Sequence, residues 1–291
     1  MSLINVKNNT ISEKLPSNIT FADNQLTIAK NQVFDEPIKI VIHDQKHEEL
    51  KILVKENTQV KIMLELANGA KDNNNYIFHF AAEQNTNVKY LLVSEVQSEN
   101  ALLEHYFSLK RDAKLELVGG FVSNKMVAKM SVDLLEEGAE VKMRAVAISS
   151  ENHVQKVDVF ITHKAPYTYG DMTNIGIASK NGQIILNGVE KIEAGMKQAN
   201  AFQTLKGIIT DDAAKIEVNP ILLIDEYDVK AGHGATIGKI EESVLFYLRS
   251  RGLTLEEAER LVINGFLQPV IDEIEDEPLR ERFVHLVNLR I

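Results

Sequence analysis

Cysteine and tryptophan are both absent from this sequence of 291 residues. Without cysteine the chain can form no disulfide, and it can offer neither a thiol nucleophile nor a thiolate metal ligand. No apolar run approaches the roughly 20 residues that a membrane-spanning helix requires. The first residues also lack an apolar core long enough for a secretory signal peptide. We therefore expect a cytoplasmic protein without a membrane span.

Basic residues are outnumbered, with 32 Lys and Arg against 42 Asp and Glu. The formal net charge of -10 repels phosphate backbones, and no long basic run offsets it, so nucleic acid is not an expected partner. The phosphate-binding signature GxxxxGK(S/T) and the nucleophile elbow GxSxG are also missing. These absences argue against nucleotide hydrolysis and against Ser-His-Asp catalysis by this chain.

The segment from about residue 26 to 224 contains a repeat. Apolar and polar residues alternate in short runs such as IKIVIH and VKIMLEL, which indicates strands with one buried face. The fragments NTQVKIML, NTNVKYLL, DAKLELVG and GAEVKMRA recur at intervals of 28, 27 and 26 residues. The aligned positions are Val60, Val88, Leu115 and Val141, and a fifth fragment places Thr168 27 residues further along.

A fixed period with two short strands and no helix favours stacked supersecondary units. We therefore predict a mostly β fold, a parallel β-helix (β-solenoid) over residues 26–238, preceded by a lead-in segment at 1–25. Each strand would pair in parallel with its counterpart one coil away, at about 4.8 Å. A β-sandwich also has regularly recurring strands and stays open as the alternative, although hairpin signals are few.

Helical periodicity replaces the strand pattern after Gly238, which predicts a C-terminal helical domain over residues 239–291. Gly252 suits a left-handed cap for the first helix, and Thr254 with Glu257 forms a capping box for the second. The second helix should end or kink at Pro269, because proline has no N–H to donate. The predicted apolar faces of the second and third helices are Leu255, Ala258, Leu261, Val262 and Phe266, and Leu279, Phe283, Leu286 and Val287.

Three helices of this length bury little surface when they stand alone. They must therefore pack on the solenoid, on a partner, or on both. One interpretation is a cap over the open end of the β-column, and the other is a docking module. The sequence leaves both interpretations open.

One histidine, His233, lies in the glycine-rich stretch DVKAGHGATIGKI. Imidazole is a common metal ligand, and on a strand the nearby Glu226 and Asp228 would share one face. One histidine with two carboxylates could assemble a metal site, whereas a single histidine in a turn is more often structural. Spacing alone does not decide between a site and a turn that links two domains.

Two further sets of residues are candidates for chemistry. His79 and His105, 26 residues apart, would stack on neighbouring coils and there bind a metal or, as we favour, simply pack. Asp133, Asp158 and Asp171 could line part of an outer groove, as in β-helix enzymes that cleave acidic polysaccharides. The lack of tryptophan weakens this enzyme hypothesis, since aromatic platforms usually hold sugars.

The segment from residue 219 to 266 carries several elements together: PxLxI, the acidic DEYDV, HGATxG, LFYLxSRG and NGF. In this combination the segment closely resembles the C-terminal signature of the SufB/SufD family, and its HGAT form resembles the SufD side. The resemblance implies a right-handed parallel β-helix with a C-terminal helical domain. It also implies a non-catalytic scaffold subunit for iron–sulfur cluster assembly that pairs with a SufB-type subunit or with itself.

The family resemblance also assigns roles to residues. His233 matches the family histidine near the subunit interface, in a loop with Gly232, Gly234 and Thr236. A SufC-type ABC ATPase would dock on the C-terminal helices, for which we expect these contact residues: Leu245, Phe246, Tyr247, Arg249, Arg251 and Phe266. We expect no stably bound cofactor, only transient iron or an Fe-S cluster at a subunit interface.

Two departures from the family pattern matter. Many SufD proteins carry a cysteine where this chain has Ala231, so any sulfur must come from a partner. The helical N-terminal domain of typical members is also expected to be missing. Besides the polysaccharide-active enzyme, a homodimeric β-helix interaction protein without a cluster role is the remaining alternative.

Overall fold

The computed structural model describes residues 2–11, 14–43, 47–67 and 73–291. Its strands alternate along the chain between two sheets, called sheet A and sheet B here, in the part of the chain described. Sheet A has the order β19-β17-β15-β13-β11-β9-β7-β5-β1-β2, and sheet B has the order β18-β16-β14-β12-β10-β8-β6-β4-β3. The strands are β1 (Ser2–Lys7), β2 (Thr10–Ile11), β3 (Ile19–Ala22), β4 (Gln25–Ile28), β5 (Ile38–His43), β6 (His47–Val54), β7 (Gln59–Ala67), β8 (Asn73–Ala82), β9 (Asn87–Glu95), β10 (Asn100–Leu109), β11 (Lys114–Phe121), β12 (Met126–Leu134), β13 (Glu140–Ser149), β14 (Val154–His163), β15 (Tyr169–Ala178), β16 (Gln183–Ile192), β17 (Asn200–Ile209), β18 (Lys215–Ile224) and β19 (Lys230–Lys239).

This strand order is that of a parallel β-solenoid, so the predicted fold is confirmed and the sandwich alternative is wrong. Each coil contributes one strand to each sheet, as the period predicted. Val88 pairs with Val60 and with Leu115, and Leu115 pairs with Val141, which confirms the first four positions of the repeat. The fifth position was wrong, because Val141 pairs with Gly170 and not with Thr168. The extra length lies in the turn between β13 and β14, since Phe121 and Met126 are five residues apart whereas their partners Ala147 and Gln155 are eight apart.

Asparagines hold the turns at one corner of the early coils. Asn31, Asn57 and Asn85 all have positive φ, a region that asparagine tolerates better than most residues. The side-chain amide of Asn57 donates to the side chain of Asn31 at 2.9 Å, and the amide of Asn85 donates to that of Asn57 at 2.8 Å. Asp112 and Gly138 continue the positive φ angles in the later coils. The repeated turn residue therefore helps to keep successive coils in register.

Alternating inward side chains form one continuous apolar column between the two sheets. The expected stacking of His79 on His105 was wrong, because His105 pairs with Phe78 and His79 pairs with Tyr106. A shift of one residue moves a side chain to the opposite face of a strand. His105 is consequently buried in the column, whereas His79 is exposed and stacks on Tyr106 at 5.2 Å.

Three helices follow: α1 (Glu242–Ser250), α2 (Leu255–Ile271) and α3 (Glu277–Arg290). Their predicted caps are confirmed. Gly252 has φ +99 after α1, and Thr254 with Glu257 forms the capping box of α2. Asp276 caps α3 by accepting from the backbone N–H of Leu279 at 2.9 Å.

Helix α2 differs from its prediction in two ways. It does not end at Pro269 but continues to Ile271, because Leu267 and Val270 on either side are buried and their packing outweighs one lost hydrogen bond. Its buried residues also differ from the predicted face, since Leu255 and Leu261 are exposed. The buried residues of α2 are Ala258, Ile263, Leu267 and Val270. In α3 the predicted Leu279, Phe283 and Val287 are buried as expected.

The helices pack along the side of the solenoid and not over its open end, so the cap interpretation is wrong. Helices α2 and α3 share one apolar cluster with outward residues of sheet A such as Leu91, Val93 and Val146. Phe283 lies directly on Gly120, where a Cβ would come within 2.7 Å of its ring. Within the described residues, no helix is long and apolar enough to cross a membrane.

Ion pairs anchor the N-terminal half of α3 over the early coils. Arg282 bonds to the carboxylates of Glu95, at 2.5 Å, and of Glu65, both of which are buried. Lys39 bonds to Glu65 at 3.1 Å and to Asp276 at 3.0 Å. Residues ahead of position 26 also belong to the sheets, since β1 pairs with β5 in parallel.

Candidate functional site

The last coil of the solenoid, formed by β18 and β19, is the most exposed part of the β structure. Among the described residues, β19 pairs only with β17, and β18 pairs only with β16. Nearly every residue of β19 is exposed, although strands in the preceding coils alternate between buried and half-buried positions. Ile221, Leu223 and Ile237 are large apolar side chains that this coil leaves exposed. Two full-length strands therefore present a free edge to solvent.

His233 lies in this last coil, within β19 and not in a turn between domains. It pairs in parallel register with Gln203, whose side chain points into the column and is buried. Partners in parallel register point to the same side of a sheet, so His233 belongs to the interior column and is exposed only because the column ends there. Gly232, Gly234 and Thr236 also lie in β19 and not in the expected loop.

The two carboxylates proposed beside His233 are engaged elsewhere. Glu226 and Asp228 lie in the turn between β18 and β19, not on a strand. Glu226 accepts from the backbone N–H of Tyr227 at 2.9 Å and of Gly195 at 2.9 Å. Bonds from the backbone N–H groups of Asp228, Tyr227 and Gly195 lower the pKa of Glu226. Asp228 accepts from the side-chain amide of Gln198 at 2.6 Å.

The expected metal set is accordingly not assembled. In the described ranges, no group of three or more His, Asp or Glu side chains is arranged to hold a metal ion. His233 stands at the edge without a carboxylate partner of its own in the structure as described. A metal or cluster bound there would need ligands from a second chain.

The interior beneath His233 holds polar residues that the sequence analysis did not identify. Glu190 on β16 and His163 on β14 are fully buried, and both point into the column. Burial, with a smaller effect from Asp171, raises the pKa of Glu190 to about 9. Burial also lowers the pKa of His163 to about 4. The sequence did carry a signal for their burial, because both residues occupy inward positions in strands with period-two alternation.

Helix α1 carries most of the residues expected to contact an ATPase. None of its residues is buried, and Phe246, at 76% exposure, and Tyr247, at 56%, face solvent. Arg249 and Arg251 are exposed, and the guanidinium of Arg251 lies 5.4 Å from the ring centre of Tyr247. The other two expected residues, Leu245 and Phe266, are half-buried.

The carboxylates proposed for a polysaccharide groove do not come together. Asp133 and Asp158 lie on strands of sheet B, whereas Asp171 lies on β15 of sheet A. Asp133 pairs with Lys164 at 2.8 Å, and Asp158 accepts from the amide of Asn187 at 2.5 Å. Because the three are split between two sheets, they cannot line one groove.

The fold and the site together define the class of protein: a parallel β-solenoid with an exposed last coil, a histidine at its rim and three helices along its side. Residues 41–266 match the family described as SUF system FeS cluster assembly, SufBD core domain. The chain belongs to this SufB/SufD family, and its resemblance to SufD is confirmed.

Several relatives carry names from the same system. The iron-sulfur cluster assembly protein SufD of Bacillus subtilis is 34% identical over 182 residues, which cover 62% of this chain and 42% of that protein. SufD of Escherichia coli is 25% identical over 175 residues, 60% of this chain and 41% of that protein. A SufBD family protein of Mycobacterium tuberculosis is 30% identical over 166 residues, 57% of this chain and 20% of that protein. The matched part of this chain thus spans less than half the length of these relatives.

Proposed function

We propose that this chain is a non-catalytic scaffold subunit in iron–sulfur cluster assembly, which pairs with a SufB-type subunit or a second copy of itself. The observation that carries the proposal is the open last coil, with two ten-residue edge strands and His233 at its rim. The names of the SufD relatives support the same system for this chain.

The free edge is suited to pairing with another chain. An exposed edge strand presents unpaired backbone N–H and C=O groups, which another strand can satisfy. The N–H of Lys230 donates to Ala199 at 3.0 Å, so in β19 the N–H groups of alternate residues point toward β17. Those of His233, Ala235 and Ile237 therefore point outward. Pairing there would also cover the exposed Ile237, whose partner in register is the inward Gly207.

His233 would then be enclosed between two chains. The imidazole could bind iron or a nascent cluster as its transient cargo. Since this chain has no cysteine, thiolate or sulfide ligands would come from the partner.

The helices would serve a second contact, with a SufC-type ATPase. Phe246, Tyr247 and Leu261 are exposed on α1 and α2, and large exposed apolar side chains grouped on a surface mark interaction sites. Basic Arg249 and Arg251 accompany them. Helix α1 is suited to this contact because none of its residues is committed to the core.

Co-purification of the tagged chain with SufB-type and SufC-type subunits tests the proposal. Ala235→Pro removes an outward N–H from the edge and should abolish pairing with the SufB-type subunit or with a second copy. Ala235→Ser keeps the N–H and is the matched control. Phe246→Ala should reduce ATPase capture without affecting edge pairing. If the proline variant pairs as well as the control does, the edge is not the interface.

The cargo role needs a separate test. His233→Ala should leave edge pairing intact and lower the yield of assembled cluster in the reconstituted complex. An unchanged cluster yield would assign His233 a structural role and would favour a homodimeric interaction protein.

A further inference from the structure

Three buried polar side chains interrupt the apolar interior just before the open end of the solenoid. They are His163 on β14, Glu190 on β16 and Gln203 on β17, and each is at most 2% exposed. None of them takes part in the edge pairing or in the helix contacts proposed above. Buried polar groups normally have hydrogen-bond partners, so exceptions call for an explanation.

The tautomer of His163 follows from its neighbours. The hydroxyl of Thr168 lies 3.0 Å from the carbonyl oxygen of Ala165, to which it donates. The same hydroxyl lies 2.8 Å from Nδ1 of His163, and it must therefore accept from that nitrogen. Nδ1 consequently carries the proton, and Nε2 keeps a lone pair that has no partner in the structure as described. This is the arrangement that prepares an imidazole to bind a metal.

Gln203 and Glu190 also direct acceptor atoms into the interior. The side-chain amide nitrogen of Gln203 donates to the carbonyl oxygen of Ile221 at 2.8 Å, which leaves Oε1 without a partner among the described residues. Both carboxylate oxygens of Glu190 likewise have none there. Burial keeps a proton on Glu190 at neutral pH, and once that proton is displaced each unpartnered atom of the three residues is an acceptor. A cation that displaces this proton meets only acceptors.

Register brings the three side chains to one part of the column. Glu190 pairs with Ile161, two residues before His163 on the neighbouring strand. From a strand spacing of about 4.8 Å and a rise of about 3.3 Å per residue, their Cα atoms lie about 8 Å apart. Gln203 reaches in from the opposite sheet, where its Oε1 lies 3.0 Å from the Cβ position of Gly188. Gly188 is two residues before Glu190 and faces the same side.

Two of the acceptors lie directly against glycine. A Cβ on Gly170 would come within 2.9 Å of Nε2 of His163, and a Cβ on Gly188 would collide with Gln203 and with Met172. Gly170 pairs with Ala201, so the wall opposite Glu190 is built from small residues. The imidazole of His163 and the amide oxygen of Gln203 therefore reach the facing sheet with no side chain in between at these two positions.

We propose that His163, Glu190 and Gln203 form an internal site for one divalent cation of the borderline class, such as Fe²⁺, Co²⁺ or Zn²⁺. Imidazole nitrogen with carboxylate and amide oxygen is a donor set that such ions accept. The site lies inside the coil that precedes β19, since Gln203 is paired with the rim residue His233. It is separate from the interface cargo site and stands on this chain's own residues.

Titration of the purified full chain with Co²⁺ alone tests the proposal. We expect one ion to bind per chain, with visible d–d absorption that differs from that of aqueous Co²⁺. Glu190→Gln and Gln203→Met, both close in size to the native residues, should each weaken binding roughly tenfold or more. Glu193→Gln changes a half-exposed carboxylate three residues further along and should bind Co²⁺ like the unaltered chain. Circular dichroism shows whether each variant is folded.

His233→Ala separates this site from the proposed interface role. It should leave Co²⁺ binding unchanged, because His233 lies on the rim and not among the internal ligands. Failure of the unaltered chain to bind Co²⁺, or binding that survives Glu190→Gln, overturns the internal site without affecting the scaffold proposal. Binding that is lost in His233→Ala alone would place the ion at the rim and would also overturn it.

Discussion

The two ends of the solenoid solve the problem of a free sheet edge in opposite ways. At the N-terminal end, sheet A finishes in the two-residue strand β2 and sheet B in the four-residue strand β3, both antiparallel to their neighbours. Short edge strands of this kind discourage pairing with other chains. At the C-terminal end, β18 and β19 are ten residues long and uncovered in the structure as described. Among the described residues, only the C-terminal end therefore offers long edge strands.

The interior differs in the same direction. In the early coils Phe78, Phe80, Tyr90 and Phe107 pack as buried aromatic rings. In the late coils the corresponding column contains glycine, alanine and polar residues, among them Glu190. The helices differ between the two ends in the same way. Ion pairs anchor α3 over the early coils, whereas α1, next to the open end, has no buried residue. Stability is thus concentrated away from the surface proposed to bind partners.

The largest effect should come from the aromatic interior. Phe107→Ala removes a ring that lies 5.6 Å from that of Phe80 and should cost about 3–5 kcal/mol of unfolding free energy, measured by chemical denaturation. Phe202→Ala, at the half-open last coils, is the control and should cost much less, because that ring is 39% exposed. Equal losses at the two positions would break the contrast between the two ends.

Acid should weaken both regions, because burial lowers the pKa of His105 in the early coils and that of His163 in the late coils. His105 is fully buried against Phe78 and Phe107, and burial lowers its pKa to about 3. Because the unfolded chain takes up this proton near pH 6.5, stability is present above that pH and is lost as the pH falls toward the folded value. The loss should reach about 2 kcal/mol at about pH 5. His105→Leu should make denaturation midpoints less sensitive to acid, and an unaltered acid profile would contradict this account.

The anchor of α3 should matter less. Arg282→Ala leaves the buried carboxylates of Glu65 and Glu95 with fewer partners, although Lys39 still contacts Glu65. We expect a loss of about 1–2 kcal/mol in unfolding free energy. Arg280→Ala, which breaks only an exposed pair with Glu277 within α3, should change it by less than about 0.5 kcal/mol. Equal effects would show that α3 is held by its apolar face alone.

The smallest effect on stability should be at the rim. His233→Ala removes an exposed side chain at the end of the column and should shift the unfolding free energy by no more than about 0.5 kcal/mol. Thermal denaturation of the isolated chain measures this. A large loss would mean that His233 supports the last coil, and the two ends would then resemble each other more than their edges indicate.

Local sequence patterns predicted the features that depend only on residues close together in the chain, namely the strands and the helix ends. The period-two alternation predicted the strands, and the caps at Gly252 and Thr254 marked the helix ends, because these signals depend on backbone conformation within a few residues. The family resemblance identified the same fold. The position of Thr168 was wrong by two residues, since the length of a corner turn is not visible in the strand pattern.

By itself the sequence determined a solenoid of stacked two-strand coils, a helical C-terminal segment and the absence of any thiolate from this chain. Only the tertiary structure decided that His79 and His105 face opposite sides, that the helices lie along sheet A, and that His233 ends an interior column above Glu190 and Gln203. The physical reason is register. One additional residue in a turn moves the side chains that follow to the opposite face of the strand, and only the complete stack of coils fixes the number of residues in each turn.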